Sequence, residues 1–120
     1  MAKIEAEPIV EGITRIRLEG RLDIAGAEDV DLRLAGICST VARGAVVDLS
    51  GVTFLASMGI RTLISNAQTL ERRGAAMALF APSPLVTEVL SSVGIDRLIP
   101  VLDTLDAALD TVKGAGRTRA

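Results

Sequence analysis

The residues that could carry chemistry gather at Phe54-Leu55-Ala56-Ser57-Met58-Gly59, where an apolar run ending in Asp48 gives way to helical spacing. A hydroxyl at that handover has two readings. Ser57 can cap the helix expected to begin near Gly59, accepting a hydrogen bond from a free backbone N–H, and its loss would then cost about 1 kcal/mol. Alternatively it can accept a phosphoryl group. A helix N-terminus favours the added charge locally, and about two new negative charges change the surface that a partner meets. Gly59 is equally open. Glycine in a first helical turn costs roughly 0.5–1 kcal/mol against alanine, which either a close backbone approach or a local turn would justify. Ser50 and Thr53 are rival hydroxyls in the same loop. Asp23, ahead of the first helical pattern, is either a cap and turn former or a contact residue. Asp48, ending a buried run, must find a donor. Arg61, one turn beyond Ser57, is either plain exposed charge or a partner for an acid or a phosphate.

The rest of the composition narrows the field by exclusion. The chain has 120 residues, enough for one compact domain with one core, and 49% of them are apolar. There is no histidine, which removes the commonest general base, metal ligand and pH switch. The single cysteine, Cys38, can form neither an internal disulfide nor a thiolate metal cage, and its place on an apolar helical stripe marks it as a core thiol. No Walker-type loop, dinucleotide glycine fingerprint or cysteine pair is present, so neither an enzyme nor a cofactor is expected. A two-component receiver would need a lysine after its last strand, and the two lysines, Lys3 and Lys113, are not so placed. A net charge of −2, with Phe54 and Phe80 the only aromatics, argues against nucleic acid. Met1–Val10 lacks a signal peptide's apolar centre, and no apolar run approaches the roughly 20 residues that span a bilayer. A cytoplasmic protein without membrane insertion is the expectation.

An alternating scaffold must position these residues. Two short strands joined at Glu11-Gly12 open the chain, the second alternating Thr14, Ile16 and Leu18 with Arg15 and Arg17, which predicts one wet face. Helical spacing runs through Ala27, Val30, Leu34, Ile37 and Val41. Ala45 to Leu49 predicts a strand buried on both faces. A second helical stripe follows through Ile60, Leu63, Ile64, Ala67 and Leu70, then a strand over Ala75 to Phe80. Ser83-Pro84 starts a third helix, Leu98 to Val101 is a short strand, and Leu105, Ala108, Leu109 and Val112 line a last helix. Strict alternation from residue 45 onward predicts an α/β fold with a largely parallel sheet. One domain over 1–113 is expected, with 114–120 a disordered tail.

The stretch from Val46-Val47-Asp48-Leu49 through Phe54-Leu55-Ala56-Ser57-Met58-Gly59 resembles the central signature of STAS domains, in particular bacterial anti-sigma factor antagonists. Leu18 to Ala27 is similar to the family's Gly-x-Leu-Asp segment, and residues 72–109 keep its order of strand, Ser-Pro helix start, last strand and last helix. The likeness covers about residues 9–112. It implies a mixed sheet of four to five strands with about four helices. It also implies a partner: an anti-sigma factor with serine kinase activity, whose complex phosphorylation breaks and a PP2C-type phosphatase restores. Carried over, the acceptor is Ser57 and the family glycine is Gly59. Asp23 and Asp48 would frame the acceptor loop, with Leu55, Met58, Arg61 and Thr62 flanking it toward the partner. A monomer or weak homodimer is implied. Two positions depart from the pattern: Ala56 replaces an aspartate and Met58 replaces a serine or threonine. These departures keep open other STAS roles, an accessory subunit of an ABC-type lipid transporter or of a stress-sensing complex, with no phospho-switch.

Overall fold

The computed structural model of the protein describes residues 2–118. β1 (Lys3–Val10) and β2 (Ile13–Leu22) form a hairpin, followed by α1 (Ile24–Cys38), β3 (Gly44–Leu55), α2 (Ser57–Arg72) and β4 (Ala76–Phe80). α3 (Pro84–Ser92), a 3-10 turn at Ile95–Arg97, β5 (Val101–Leu102) and α4 (Leu105–Thr118) complete the chain. The strands lie in the order β1-β2-β3-β4-β5, with β1 antiparallel to β2 and all other neighbours parallel. The mixed α/β sheet with four helices is the architecture the alternating pattern predicts.

Each parallel strand is added on the same side of the last. Right-handed crossovers then carry α1, α2 and α3 to one face. There Val30, Leu34 and Cys38 of α1, Leu63 and Leu70 of α2, and Val86 and Leu90 of α3 share a core with Ile16, Leu18, Val47 and Leu49. Past β5 the chain folds back, and Ala108 and Val112 of α4 meet Ile13, Val46, Ala78 and Phe80 on the other face. Residues 45–49 are therefore apolar almost without interruption, because β3 is covered on both sides. Along the rest of their length β1 and β2 are covered on one side only, α4 reaching them only at Ile9, Val10 and Ile13. On their open side Glu5 stands opposite Arg17 and Glu7 opposite Arg15, the wet face expected of β2.

Three boundaries differ from the sequence reading. β3 does not stop at Leu49 but runs to Leu55. Two register shifts against β2 let it spend eight residues, Asp48 to Leu55, where β2 spends six, Arg17 to Leu22. These bulges turn Leu49, Val52 and Leu55 to one core at a spacing of three. The last strand is Val101–Leu102 rather than 98–101, with Ile95–Arg97 in a 3-10 turn before it. α4 continues through Thr118 instead of ending at Lys113; Arg119 and Ala120 of the expected tail lie outside the described residues.

Candidate functional site

β2 and β3 end level with each other. Leu22 pairs with Leu55, and the Ala56 N–H donates to the Leu22 carbonyl at 3.0 Å. α1 and α2 start at once from these ends, packed side by side. Two glycines permit the packing. A Cβ on Gly26 would overlap the carbonyl oxygen of Arg21. One on Gly59 would lie 2.8 Å from Leu55 Cδ1 and 2.9 Å from both the Cβ and the carbonyl oxygen of Leu22. Close approach of β2, rather than a turn, is thus what glycine at 59 serves.

The two helix starts differ in charge and capping. Asp23 caps α1, its Oδ1 accepting the Gly26 N–H at 2.9 Å, with Arg21 Nε 3.5 Å from Oδ2. The Gly26 hydrogen bond, helped by Arg21, holds the Asp23 carboxyl below its ordinary value. α2 has Ala56 at its cap position, with no side-chain cap and no acid in the first turn. Ser57 is the first helical residue. Its side chain is exposed, and its hydroxyl makes no hydrogen bond among the described residues. The capping reading of Ser57 therefore fails, because the extended angles of a cap residue (φ −105°, ψ 176°) belong to Ala56.

Around Ser57 the surface mixes apolar and cationic groups. Met58 is half-buried, and Ile24, on the first turn of α1, is 64% exposed. The Arg21 guanidinium lies over the Phe54 ring, 4.3 Å from its centroid. Arg61 is exposed, and among the described residues it has no ion pair or hydrogen bond. Ile24, Arg21 and Phe54 were not singled out from the sequence.

Leu55, Thr62 and Asp48 stand elsewhere. Leu55 and Thr62 are 4% and 8% exposed and face the interior rather than a partner. Gly59, Thr62, Leu63, Asn66 and Leu70 form the inner stripe of α2, with Asn66 Nδ2 donating to the Thr62 carbonyl at 2.8 Å. Asp48 lies in mid-strand, five β2 residues from the Leu22–Leu55 pair, or about 17 Å along the sheet. It is 3% exposed and does not frame the Ser57 region. Its Oδ2 accepts Arg15 Nη2 at 2.9 Å and its Oδ1 accepts the Ser50 N–H at 2.9 Å. Burial raises this carboxyl, but the Arg15 and Ser50 hydrogen bonds outweigh burial and keep it below its ordinary value. Ser50 and Thr53, expected in a loop, are exposed strand residues.

The remaining chemistry-bearing residues have structural places. Cys38 is buried, and burial pushes its thiol up to about 11 against the opposing pull of Arg73. Arg73 Nη1, at the foot of α2, donates to the carbonyls of Cys38 and Val41 at 3.0 and 2.8 Å and so ties α2 to the end of α1. Among the described residues no cluster of acids, histidines and cysteines could hold a metal ion. No helix among them is long and apolar enough to cross a membrane.

A mixed sheet in chain order, three helices on one face, one on the other, and two helix starts pressed together at the ends of β2 and β3 define a small α/β domain. Residues 6–108 match the STAS domain family, and the chain belongs to it. BtrV of Bordetella bronchiseptica, named as an anti-sigma factor antagonist, is 27% identical over 106 residues, covering 88% of this chain and 91% of its own. Rv2638 of Mycobacterium tuberculosis, named as an anti-anti-sigma factor, is 30% identical over 64 residues, which is 53% of this chain but only 43% of the relative. The crystal structure of an anti-sigma factor antagonist from Mycobacterium paratuberculosis superposes with a TM-score of 0.85 at 24% identity, over 94% of this chain and 95% of that one. The anti-sigma factor antagonist SpoIIAA matches in its unphosphorylated form with a TM-score of 0.76 at 22% identity, over 93% and 97% of the two chains. Its phosphorylated form matches at 0.68 and 21%, over 92% and 99%. The structural likenesses establish the fold.

Proposed function

We propose that this chain is an anti-sigma factor antagonist, acting in the cytoplasm, which binds an anti-sigma factor with serine kinase activity and is released when Ser57 is phosphorylated. The observation that carries the proposal is the Ser57 hydroxyl itself: exposed, without a hydrogen bond among the described residues, and on the first residue of α2, which packs beside α1. A hydroxyl with no structural duty can be modified without cost to the fold. In the transfer, Ser57 Oγ attacks the terminal phosphorus of a nucleoside triphosphate bound to the kinase. A new O–P bond forms, the bond to the bridging oxygen breaks, the nucleoside diphosphate leaves, and the hydroxyl proton passes to a base of the kinase. Water reverses the modification at a PP2C-type phosphatase, yielding inorganic phosphate and the free hydroxyl. Two negative charges placed in a desolvated contact would weaken it by like-charge repulsion and lost hydration. Asp23, Met58 and Arg61, with the exposed Ile24, form the contact surface in this reading, while Gly59 sets the height of α2 above β2.

The test is a pull-down from host lysate with the unmodified chain and with Ser57→Asp. A protein with a histidine-kinase-like ATPase domain, retained by the first bait and lost by the second, is the expected result. Retention of the same partner by both baits would remove Ser57 as the switch, and a transporter ATPase among the captured proteins would replace the sigma-factor reading.

A further inference from the structure

We infer that Arg61 captures the phosphoryl group of phosphorylated Ser57, so that modification both adds negative charge to the contact surface and withdraws a cation from the partner. The inference rests on the phospho-switch proposed above, but its evidence is separate. Ser57 and Arg61 are four apart on α2, both exposed, which sets their Cβ atoms about 6 Å apart on one face of the helix. Helical side chains lean toward the N-terminus, so the Arg61 guanidinium is carried toward Ser57 and not away from it. Nothing competes for it, since Arg61 has no ion pair or hydrogen bond among the described residues.

The neighbours leave this geometry to Arg61. The first turn of α2 has no acid, and Ala56 and Met58, where the family pattern has polar residues, bring no carboxylate to compete for the Arg61 guanidinium and no hydroxyl to compete for the phosphate. Near the end of β2, Arg21 is already engaged by the Asp23 carboxylate and the Phe54 ring. The Asp23 carboxylate, spent on the Gly26 N–H, repels a phosphate and directs it toward Arg61. A guanidinium meets two phosphate oxygens at once, a geometry that lysine cannot reproduce. In the unmodified chain the same guanidinium is free to meet an acid on the partner. One side chain thus serves the bound state and the released state in turn.

The experiment installs phosphoserine at position 57 of the full chain during synthesis, so no kinase or partner is needed. It follows the 31P resonance through a pH titration for the parent, Arg61→Gln, Arg61→Lys and Arg21→Gln. Capture lowers the apparent phosphate pKa in the parent by about 0.5 relative to Arg61→Gln, roughly threefold in proton affinity. Arg61→Lys falls between them, and the difference collapses in about 1 M salt, where the Debye length is about 3 Å. Equal values in the parent and Arg61→Gln overturn the inference, as does a shift abolished by Arg21→Gln and untouched by Arg61→Gln. The two readings fail separately. A pull-down indifferent to Ser57→Asp removes the switch and leaves the titration result standing, whereas an unshifted phosphate removes the capture and leaves the switch.

Discussion

Gly59→Ala tests the packing that places Ser57. Alanine is the better helix former by about 0.8–1 kcal/mol, so on propensity alone the variant gains stability. The contacts oppose that gain. The new methyl would stand 2.8–2.9 Å from three atoms, and two of them, the Cβ and carbonyl oxygen of Leu22, belong to or adjoin main chain. That carbonyl is also held by the Ala56 N–H at 3.0 Å. Only Leu55 Cδ1 can swing aside. Overpacking of this kind costs about 1–3 kcal/mol, and lifting α2 off β2 loses a hydrogen bond worth about 1 kcal/mol more. The net is a loss of about 1–3 kcal/mol, which for 120 residues lowers Tm by roughly 4–12 °C. Gly36→Ala is the internal standard, because Gly36 lies in α1 with no atom within 4 Å of the added methyl. It should gain about 1 kcal/mol from the same propensity term. Urea unfolding followed by far-ultraviolet circular dichroism reads both. If Gly59→Ala matches or exceeds the parent, the close-approach argument is wrong, whatever Gly36→Ala does.

Three further outcomes follow from the same geometry. Ala56→Asp supplies the side-chain cap that α2 lacks and should raise unfolding stability by about 1 kcal/mol in urea; no rise would mean that the first turn already satisfies its N–H groups. Arg15→Gln leaves the Asp48 carboxylate buried with only the Ser50 N–H and should cost about 2 kcal/mol at pH 7, a figure reduced for the partial exposure of Arg15. The folded Asp48 carboxyl lies below its unfolded value, so this stabilisation is present above about pH 4 and is lost as pH falls through the folded value. The gap between parent and variant should therefore close on acidification, and a gap independent of pH refutes the pairing. Cys38 should resist a disulfide-exchange reagent at pH 8 until the chain unfolds, since its thiol is buried and pushed up to about 11; rapid labelling of the native protein would contradict both features.

Much of this was legible in the sequence, because it rests on periodicity. The alternation of β2, the uninterrupted apolar run of residues 45–49 and the helical stripes each report burial on a particular face, and burial is what the sheet order requires. The continuation of β3 was not legible. Its Leu49, Val52 and Leu55 recur every third residue, a spacing that belongs to neither a regular strand nor a helix, and only the two bulges against β2 explain it. Ser50-Gly51 inside that stretch looks like a turn when its partner strand is unseen. The misplacement of Asp48 follows directly, since ending the strand at Leu49 moves this carboxylate to the wrong end of the sheet. Leu55 was misjudged for the same reason, since the bulges of β3 turn it to the core, and Thr62 for a different one. The inner stripe of α2 is rotated toward Gly59, Thr62 and Asn66, polar or small residues that hydropathy assigns to water. The Asn66 amide is satisfied by the Thr62 carbonyl, which sequence pattern cannot foresee. Ser57 stands at the helix start, as its spacing led one to expect, but Ala56 holds the cap position, and the Ser57 hydroxyl has no hydrogen bond among the described residues.

The guanidinium of Arg73 has a mechanical consequence. By gripping the carbonyls of Cys38 and Val41 it clamps the far ends of α1 and α2, while Gly26 and Gly59 press their near ends against β2. Fastened at both ends, the two helices form a single plank rather than two hinged staves. A partner docking at Ser57, as proposed, would therefore meet a surface whose shape is settled before contact, and the ordering entropy of association would fall chiefly on the partner. Affinity gained in this way would come from stiffness installed roughly four and a half helical turns away from the contact, at a residue no partner needs to touch.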